Sequence, residues 1–399
     1  MAVVERSVYR NWQTVPEHFW SGEIFFTKGF RTFRELGNTS LGARTLEQMH
    51  LTKDMIKNME VALQFKENSH PVTSIDADCS GSHVVVGSEG DRSITLFNCN
   101  RGTIHSALYS KKYGVGLVRF LAPHQILHTA TMTDSSLKWS FILVITNPFA
   151  DTIRLLSMTK NKYIRYFKGH TDKVQSVAVT PNGEYFLSSG KDRLTYLWES
   201  RVKVPQTVIN LDSGTHVTID SEAKIFATAS SDSVIRLYDI RNCLKGPFAL
   251  YDTKEEFLAR SNWTGVKFSP DRNYIMLTTD CGYILLLNTS TGKLHRLLTG
   301  FEYKEGVNIG ACFLGDSNYV FSGSEDGRIY VWDLDRPLRL GSNLDFEPFV
   351  LNGRHHHPCR CLVFNPTYAL LVSSCKVTKF WTPRPSDAKI ETATNVETE

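Results

Sequence analysis

The stretch "RHHHPCRC" gathers His355, His356, His357, Cys359 and Cys361 within seven residues. Imidazoles and thiolates are the ligands that tetrahedral zinc prefers. The spacing fits no standard finger, however, and no second ligand cluster pairs with it. An ordinary exposed loop is the expectation, with no metal and no cofactor. A second basic stretch, "YSKKYGV", sets Lys111 and Lys112 between two tyrosines. Lysine ammoniums there could pair with phosphate or carboxylate oxygens, with Tyr113 packing on a bound peptide. The alternative is a solvated loop with Tyr113 tucked under it. In "NKYIRYFKGH", Lys162, Arg165 and Lys168 interleave with Tyr163, Tyr166 and Phe167. Such interleaving can stack nucleobases. On an outer strand it also splits by period 2 into an apolar face and an exposed basic face, and that reading is preferred. No G-x-S-x-G elbow, P-loop or H-E-x-x-H is present, so the sequence does not describe an enzyme.

The elements that position these residues emerge from a repeat. In "GSEDGRIYVWDL", "SSDSVIRLYDI", "SGKDRLTYLWES" and "GDRSITLFNC" an aspartate lies six residues before an aromatic: Asp326 and Trp332, Asp232 and Tyr238, Asp192 and Trp198, Asp91 and Phe97. Between them apolar residues alternate, the period of a strand with one buried face. Turn signals such as "TPNGEY" and "SPDRNY" precede each unit. Degraded copies place Leu156, Leu287 and Trp381 at the aromatic position. Because the three aspartates Asp192, Asp232 and Asp326 recur once per unit, they are structural before they are catalytic.

Seven copies spaced by 40 to 59 residues resemble the WD-repeat family, whose period is about 40–45 residues. "KGHTDKVQSVAVTPNGEYFLSSGKDRLTYLW" is the most complete copy. The resemblance implies an all-β fold, a seven-bladed WD-repeat β-propeller with a short N-terminal extension. It also implies a side-chain network within blades, involving His170, Asp192, Trp198, Asp232, Asp326 and Trp332. The strand "MEVALQF" (Met59–Phe65) is expected to complete the blade that holds Trp381, closing the ring from both chain ends.

The domain reading is 1–58 an aromatic-rich extension with a short helix within Thr45–Asn58, 59–382 the propeller, and 383–399 a disordered tail. The extension carries Tyr9, Trp12, Phe19, Trp20, Phe25, Phe26, Phe30 and Phe33, whereas disordered tails are normally poor in aromatics. It either packs on the propeller or orders on a partner. The 59-residue gap between Phe97 and Leu156 marks an insertion near 132–146.

Bulk properties are those of a soluble globular protein. Of 399 residues, 41% are hydrophobic and 22% charged, with a net charge of +4. That near balance supplies no field for direct nucleic-acid binding. No run is long and apolar enough for a membrane, the start "MAVVERSVYR" has no secretory h-region, and eight scattered cysteines suit a reducing compartment.

Within the WD-repeat family, "LYSKKYGVGLVRF", "NKYIRYFKGH", "LYDIRNCLKGPFA", "WTGVKFSPD" and "CLVFNP…FW" together resemble the Swd2-type subunit of the COMPASS complex, which methylates lysine four of histone H3. The resemblance implies a non-catalytic nuclear scaffold. Its partners would be a SET-domain methyltransferase and other COMPASS subunits, a protein phosphatase 1 assembly, and the phosphorylated C-terminal domain of RNA polymerase II. The alternative is a substrate receptor of a cullin-4 ubiquitin ligase. "RLYDIR" matches the aromatic-Asp-x-Arg pattern of such receptors, with Arg241 meeting the adaptor, although an Arg241–Asp239 salt bridge explains it equally well. Aligning "KGHTDKVQSVAV" on "YSKKYGVGLVRF" puts Lys111 at the position of His170. Ala150 stands six residues before Leu156, where the repeat has aspartate. The second blade is therefore expected to lack the usual histidine–aspartate pair.

Overall fold

A computed structural model describes residues 51–132, 152–211, 213–253, 262–304, 306–336, 344–345 and 348–383. Seven sheets follow one another along the chain, antiparallel apart from the short strand Leu344–Asp345, which joins blade 5's outer strand in parallel; each is a blade whose first strand faces the central axis. Blade 1 begins at Ser74, blade 2 at Val118, blade 3 at Val174, blade 4 at Thr215, blade 5 at Trp263, blade 6 at Ala311 and blade 7 at Cys361. This is the seven-bladed propeller. The expected insertion near 132–146 and most of the extension lie outside the described residues, as does nearly all of the tail.

Blade 3 shows how the alternation works. Its strands are Val174–Val179, Tyr185–Gly190, Leu194–Glu199 and Pro205–Asn210. Phe186 lies directly opposite Trp198, the two rings stacked at 6.0 Å. Both are fully buried in a cluster that also takes Leu121, Leu127, Ile153 and Leu155 from blade 2. Blade 3 thus buries this face against blade 2 and, through Leu187 and Leu197, the opposite face against blade 4, so the single buried face expected from the alternation becomes two. An isolated four-stranded sheet would leave both faces wet, so blades are stable only in the ring.

Ring closure is the pairing of Met59–Phe65 with Thr378–Pro383, antiparallel, with Met59 opposite Pro383 and Val61 opposite Trp381. Blade 7 therefore takes three strands from one end of the chain and one from the other. A helix at Lys53–Lys57 precedes the closing strand, its N-cap Thr52 accepting from the Met55 amide. Leu51, Ile56 and Met59 pack with Trp381 and Phe321 in the seam between blades 6 and 7.

Inside the channel, charged side chains tie neighbouring blades together. Arg119 of blade 2 donates to Ser74 Oγ and to the Ile75 carbonyl of blade 1. Asp76 accepts from the Phe120 amide at 2.8 Å, and Lys267 of blade 5 donates to the Ala311 carbonyl of blade 6. The channel encloses about 970 Å³.

Candidate functional site

Blade 3 contains the fullest version of the repeat's polar network. His170 Nδ1 lies 2.9 Å from Asp192 Oδ2, and His170 Nε2 lies 2.8 Å from Ser188 Oγ. Trp198 Nε1 donates to the same hydroxyl at 2.9 Å. Asp192 also accepts from the amides of Thr171 and Leu194. Burial works against the ionised Asp192, but His170 and these amides outweigh it and hold the carboxyl below its ordinary range. The bond fixes a geometry for the whole ring: loops entering a blade's inner strand and turns between its second and third strands share one face. That upper face carries His170 and Asp192, and the turns leading to the outer strands lie on the lower face.

Two blades carry variants that the sequence reading missed. In blade 1, Asp91 accepts from both Nδ1 and the amide of His70. In blade 7, His355 Nε2 and Trp381 Nε1 converge on Ser373 Oγ, each at 2.7 Å. Cys375 Sγ stands 3.1 Å from His355 Nδ1, in the place of the aspartate. This corrects the expectation of an exposed "RHHHPCRC" loop in part, since His356 and His357 are exposed and the other three are not. His355, Cys359 and Cys361 are buried, because the stretch supplies the network of the blade that closes the ring. Among the described residues no group of three or more candidate ligands could hold a metal ion. The spacing of His355 and Trp381, 26 residues against 28 for His170 and Trp198, was the available signal.

Elsewhere the expected network takes other partners. Asp232 is bonded to Arg236 Nη2 at 2.7 Å. Asp326 accepts from Tyr330 Oη and from the Arg328 amide. Trp332 Nε1 donates to the Thr299 carbonyl at 3.1 Å. Each aspartate is bonded within its own blade, but the histidine partner expected of the repeat is replaced by an arginine or a tyrosine.

Blade 2 has a different arrangement. Ile126 lies opposite Leu156 as Phe186 lies opposite Trp198, so His128 occupies the place of Ser188. His128 Nε2 is 3.2 Å from Tyr163 Oη, which is 3.3 Å from Ser110 Oγ. Ala150 falls outside the described residues. Above this chain, the Arg154 guanidinium lies 4.0 Å from the centre of the Tyr113 ring. Such a cation–π contact contributes about 2 kcal/mol when desolvated, and Arg154 is buried. The Tyr113 carbonyl accepts from the amides of Thr131 and Met132. Gly114 follows with φ +69°, and a Cβ there would stand 2.0 Å from Thr131 Oγ1, so only glycine fits the turn.

Tyr113 is therefore the floor of the loop, 7% exposed, and not a surface for a peptide. Of the alternatives read from the sequence, the tucked tyrosine is the one observed. Lys111 is exposed and Lys112 half-buried. Lys112 Nζ lies 5.1 Å from the Tyr113 ring centre, and Arg92 Nη1 donates to the Lys111 carbonyl. Three cations thus stand together on the upper face over a rigid base.

Strand Lys162–Phe167 departs from the expected division into apolar and basic faces. Lys162 and Ile164 are exposed, while Arg165 turns inward to the Ser200 carbonyl of blade 3. No basic face forms there to receive nucleobases. Arg241 is exposed on the lower face; its backbone amide, not its guanidinium, bonds Asp239 at 2.8 Å.

Two buried histidines, His128 and His355, and the half-buried His216 give the fold a pH dependence. Burial pushes His128 down to about 3, helped by Arg154. It pushes His355 to about 3, helped by Lys379 and His356, and His216 to about 4. The unfolded chain takes up these protons below about pH 6.5, whereas the folded chain does not. Stability is therefore full above about pH 6.5 and falls as pH drops, by about 1.4 kcal/mol per pH unit for each histidine. Urea unfolding followed from pH 7 to 4.5 is expected to show this steep loss; a flat profile would contradict it.

Thiol reactivity tests the corrected placement of the cysteines. Cys79 and Cys281 are exposed, whereas Cys243, Cys312, Cys359, Cys361 and Cys375 are buried. A water-soluble disulfide reagent is expected to label Cys79 fastest in the native chain. Cys281 should follow more slowly, since partial burial and Asp280 raise its thiol pKa. Prompt labelling of Cys359 without unfolding would refute the buried cluster.

The family model described as "WD domain, G-beta repeat" matches residues 161–199 and 295–333. The chain is 35% identical over 337 residues to "WD repeat-containing protein 82" of Drosophila melanogaster, covering 84% of this chain and 98% of that protein. It is 26% identical to "COMPASS component SWD2" of Saccharomyces cerevisiae, covering 78% and 90% of the two chains. It is 29% identical to "Set1 complex component swd2" of Schizosaccharomyces pombe, covering 71% and 77%.

Proposed function

The chain belongs to the WD-repeat family of WD repeat-containing protein 82 and Swd2, and on that premise we propose that it is a non-catalytic subunit of a Set1/COMPASS-type complex. The observation that carries this reading is the extent of the match, 98% of the fly relative's length. A likeness confined to one or two repeats would speak only for the fold, whereas one spanning the ring includes its binding rims. A propeller offers rims of loops around a channel, and that form suits the holding of other subunits.

The finer reading is that the complex methylates lysine four of histone H3 in the nucleus. The protein would bring it to transcribed genes by binding the phosphorylated tail of RNA polymerase II. A protein phosphatase 1 assembly is a second complex in which the same propeller would serve. Lys111 and Lys112 are the phosphate contacts in this reading, with Tyr113 and Arg154 holding their loop in shape. The propeller is taken as residues 59–382, with 1–58 an extension and 383–399 a tail.

Affinity purification of the tagged chain from nuclei is the direct test. Recovery of a SET-domain methyltransferase is expected. Recovery of a cullin-4 adaptor instead, lost on Arg241→Ala, would overturn the reading in favour of a ubiquitin-ligase receptor.

A further inference from the structure

Nine large apolar side chains are well exposed among the described residues, and six of them lie in two short runs: Val202, Val204 and Val208, then Leu244, Phe248 and Leu250. Leu244 is 81% exposed and Val204 66%. Singly exposed apolar residues need no explanation, but a contiguous patch does. The two runs meet across one seam. The short 3-10 turn Cys243–Lys245 packs against the outer strand Pro205–Asn210, and Cys243 shares a buried cluster with Ile209. Arg201, Lys203, Arg241 and Lys245 are exposed among these residues, against the exposed carboxylates Asp239 and Asp252, so the patch is basic on balance as well as apolar. It occupies the lower rim of blades 3 and 4, away from the lysine loop.

We propose that residues 11–27 dock, within the same chain, on this basic apolar patch. Their sequence, "NWQTVPEHFWSGEIFFT", holds Trp12, Phe19, Trp20, Phe25 and Phe26 together with Glu17 and Glu23, and has neither lysine nor arginine. Bulky aromatics would cover the valines, Leu244 and Phe248, and the two glutamates would face the four cations. The route is available. Helix Lys53–Lys57 is tied by Lys53 to Asp333, at the end of blade 6's third strand and hence on the lower face. The 24 residues from 27 to 51 can span about 80 Å, more than the ~50 Å width of a domain this size. Tethering also raises the effective concentration of the segment to the millimolar range for short linkers.

The test is photo-cross-linking in the full chain with benzoylphenylalanine replacing Phe248, mapped by mass spectrometry. Cross-links to residues 11–27 are expected at a yield independent of protein concentration. Glu17→Lys with Glu23→Lys should cut that yield about fivefold, and adding Arg201→Glu with Lys203→Glu should restore it. Arg201 and Lys203 are surface residues, so an unchanged thermal melt accompanies their substitution. Cross-links that miss 11–27, a yield that rises with concentration as for a second copy, or a charge swap without rescue would each overturn the proposal.

Discussion

Deleting Met59–Phe65 is expected to abolish the single cooperative melt of the ring. The strand supplies one side of the ladder on Thr378–Pro383, so its loss exposes a row of unpaired backbone groups. It also removes Met59 and Leu63, both buried, from two different inter-blade clusters. Each such loss costs about 2–5 kcal/mol, against a total stability of only about 5–15 kcal/mol. Differential scanning calorimetry would show a lost transition, or one lowered by more than about 10 °C. Glu60→Gln, an exposed position on the same strand, should melt like the parent. A deletion variant that melts normally would mean that the ring closes without this strand.

Reversing both loop lysines, Lys111→Glu with Lys112→Glu, is expected to weaken phosphorylated polymerase-tail peptide binding by tenfold or more. A charge-assisted hydrogen bond contributes about 1.5–3 kcal/mol, and tenfold corresponds to about 1.4 kcal/mol. The affinity of the parent should fall with added salt. Lys111 is exposed and Lys112 half-buried beside the Tyr113 ring, so the double variant should stay folded, with a melting temperature within a few degrees of the parent's. Tyr113→Ala is the informative contrast. It removes the buried ring on which Arg154 rests and should destabilise the blade by about 3 kcal/mol. Titration of phosphorylated and plain peptides by fluorescence anisotropy separates these effects. Unchanged phosphopeptide affinity in the folded double variant would remove the lysines from the site.

How much was legible follows from which interactions are local. Trp198, Trp332 and Trp381 could be found from sequence because each ends an alternating run and recurs about every forty residues. The loop position of Lys111 was legible for the same reason: the repeat supplies a ruler, and an offset of 59 residues carries His170 onto it. What fills a missing partner's place obeys no such ruler. Cys375 beside His355, Arg236 beside Asp232, and the chain from Ser110 through Tyr163 to His128 each satisfy a buried or half-buried polar group with what lay within reach. The same holds for "RHHHPCRC", whose polar composition suggests solvent although His355 is 1% exposed.

The sequence by itself thus determined the propeller, its seven blades and its closing strand. Alternation and recurrence are properties of contiguous residues, and a sheet that must bury one face leaves few other solutions. Only the tertiary structure decided which side chains face water. It turned Tyr113 under its loop, drew His355 into the blade, and brought Ile209 and Cys243 into one cluster across a seam from positions 34 residues apart. The physical reason is that burial and hydrogen-bond satisfaction are set by neighbouring blades, and the identity of those neighbours at each position is not written in the repeat.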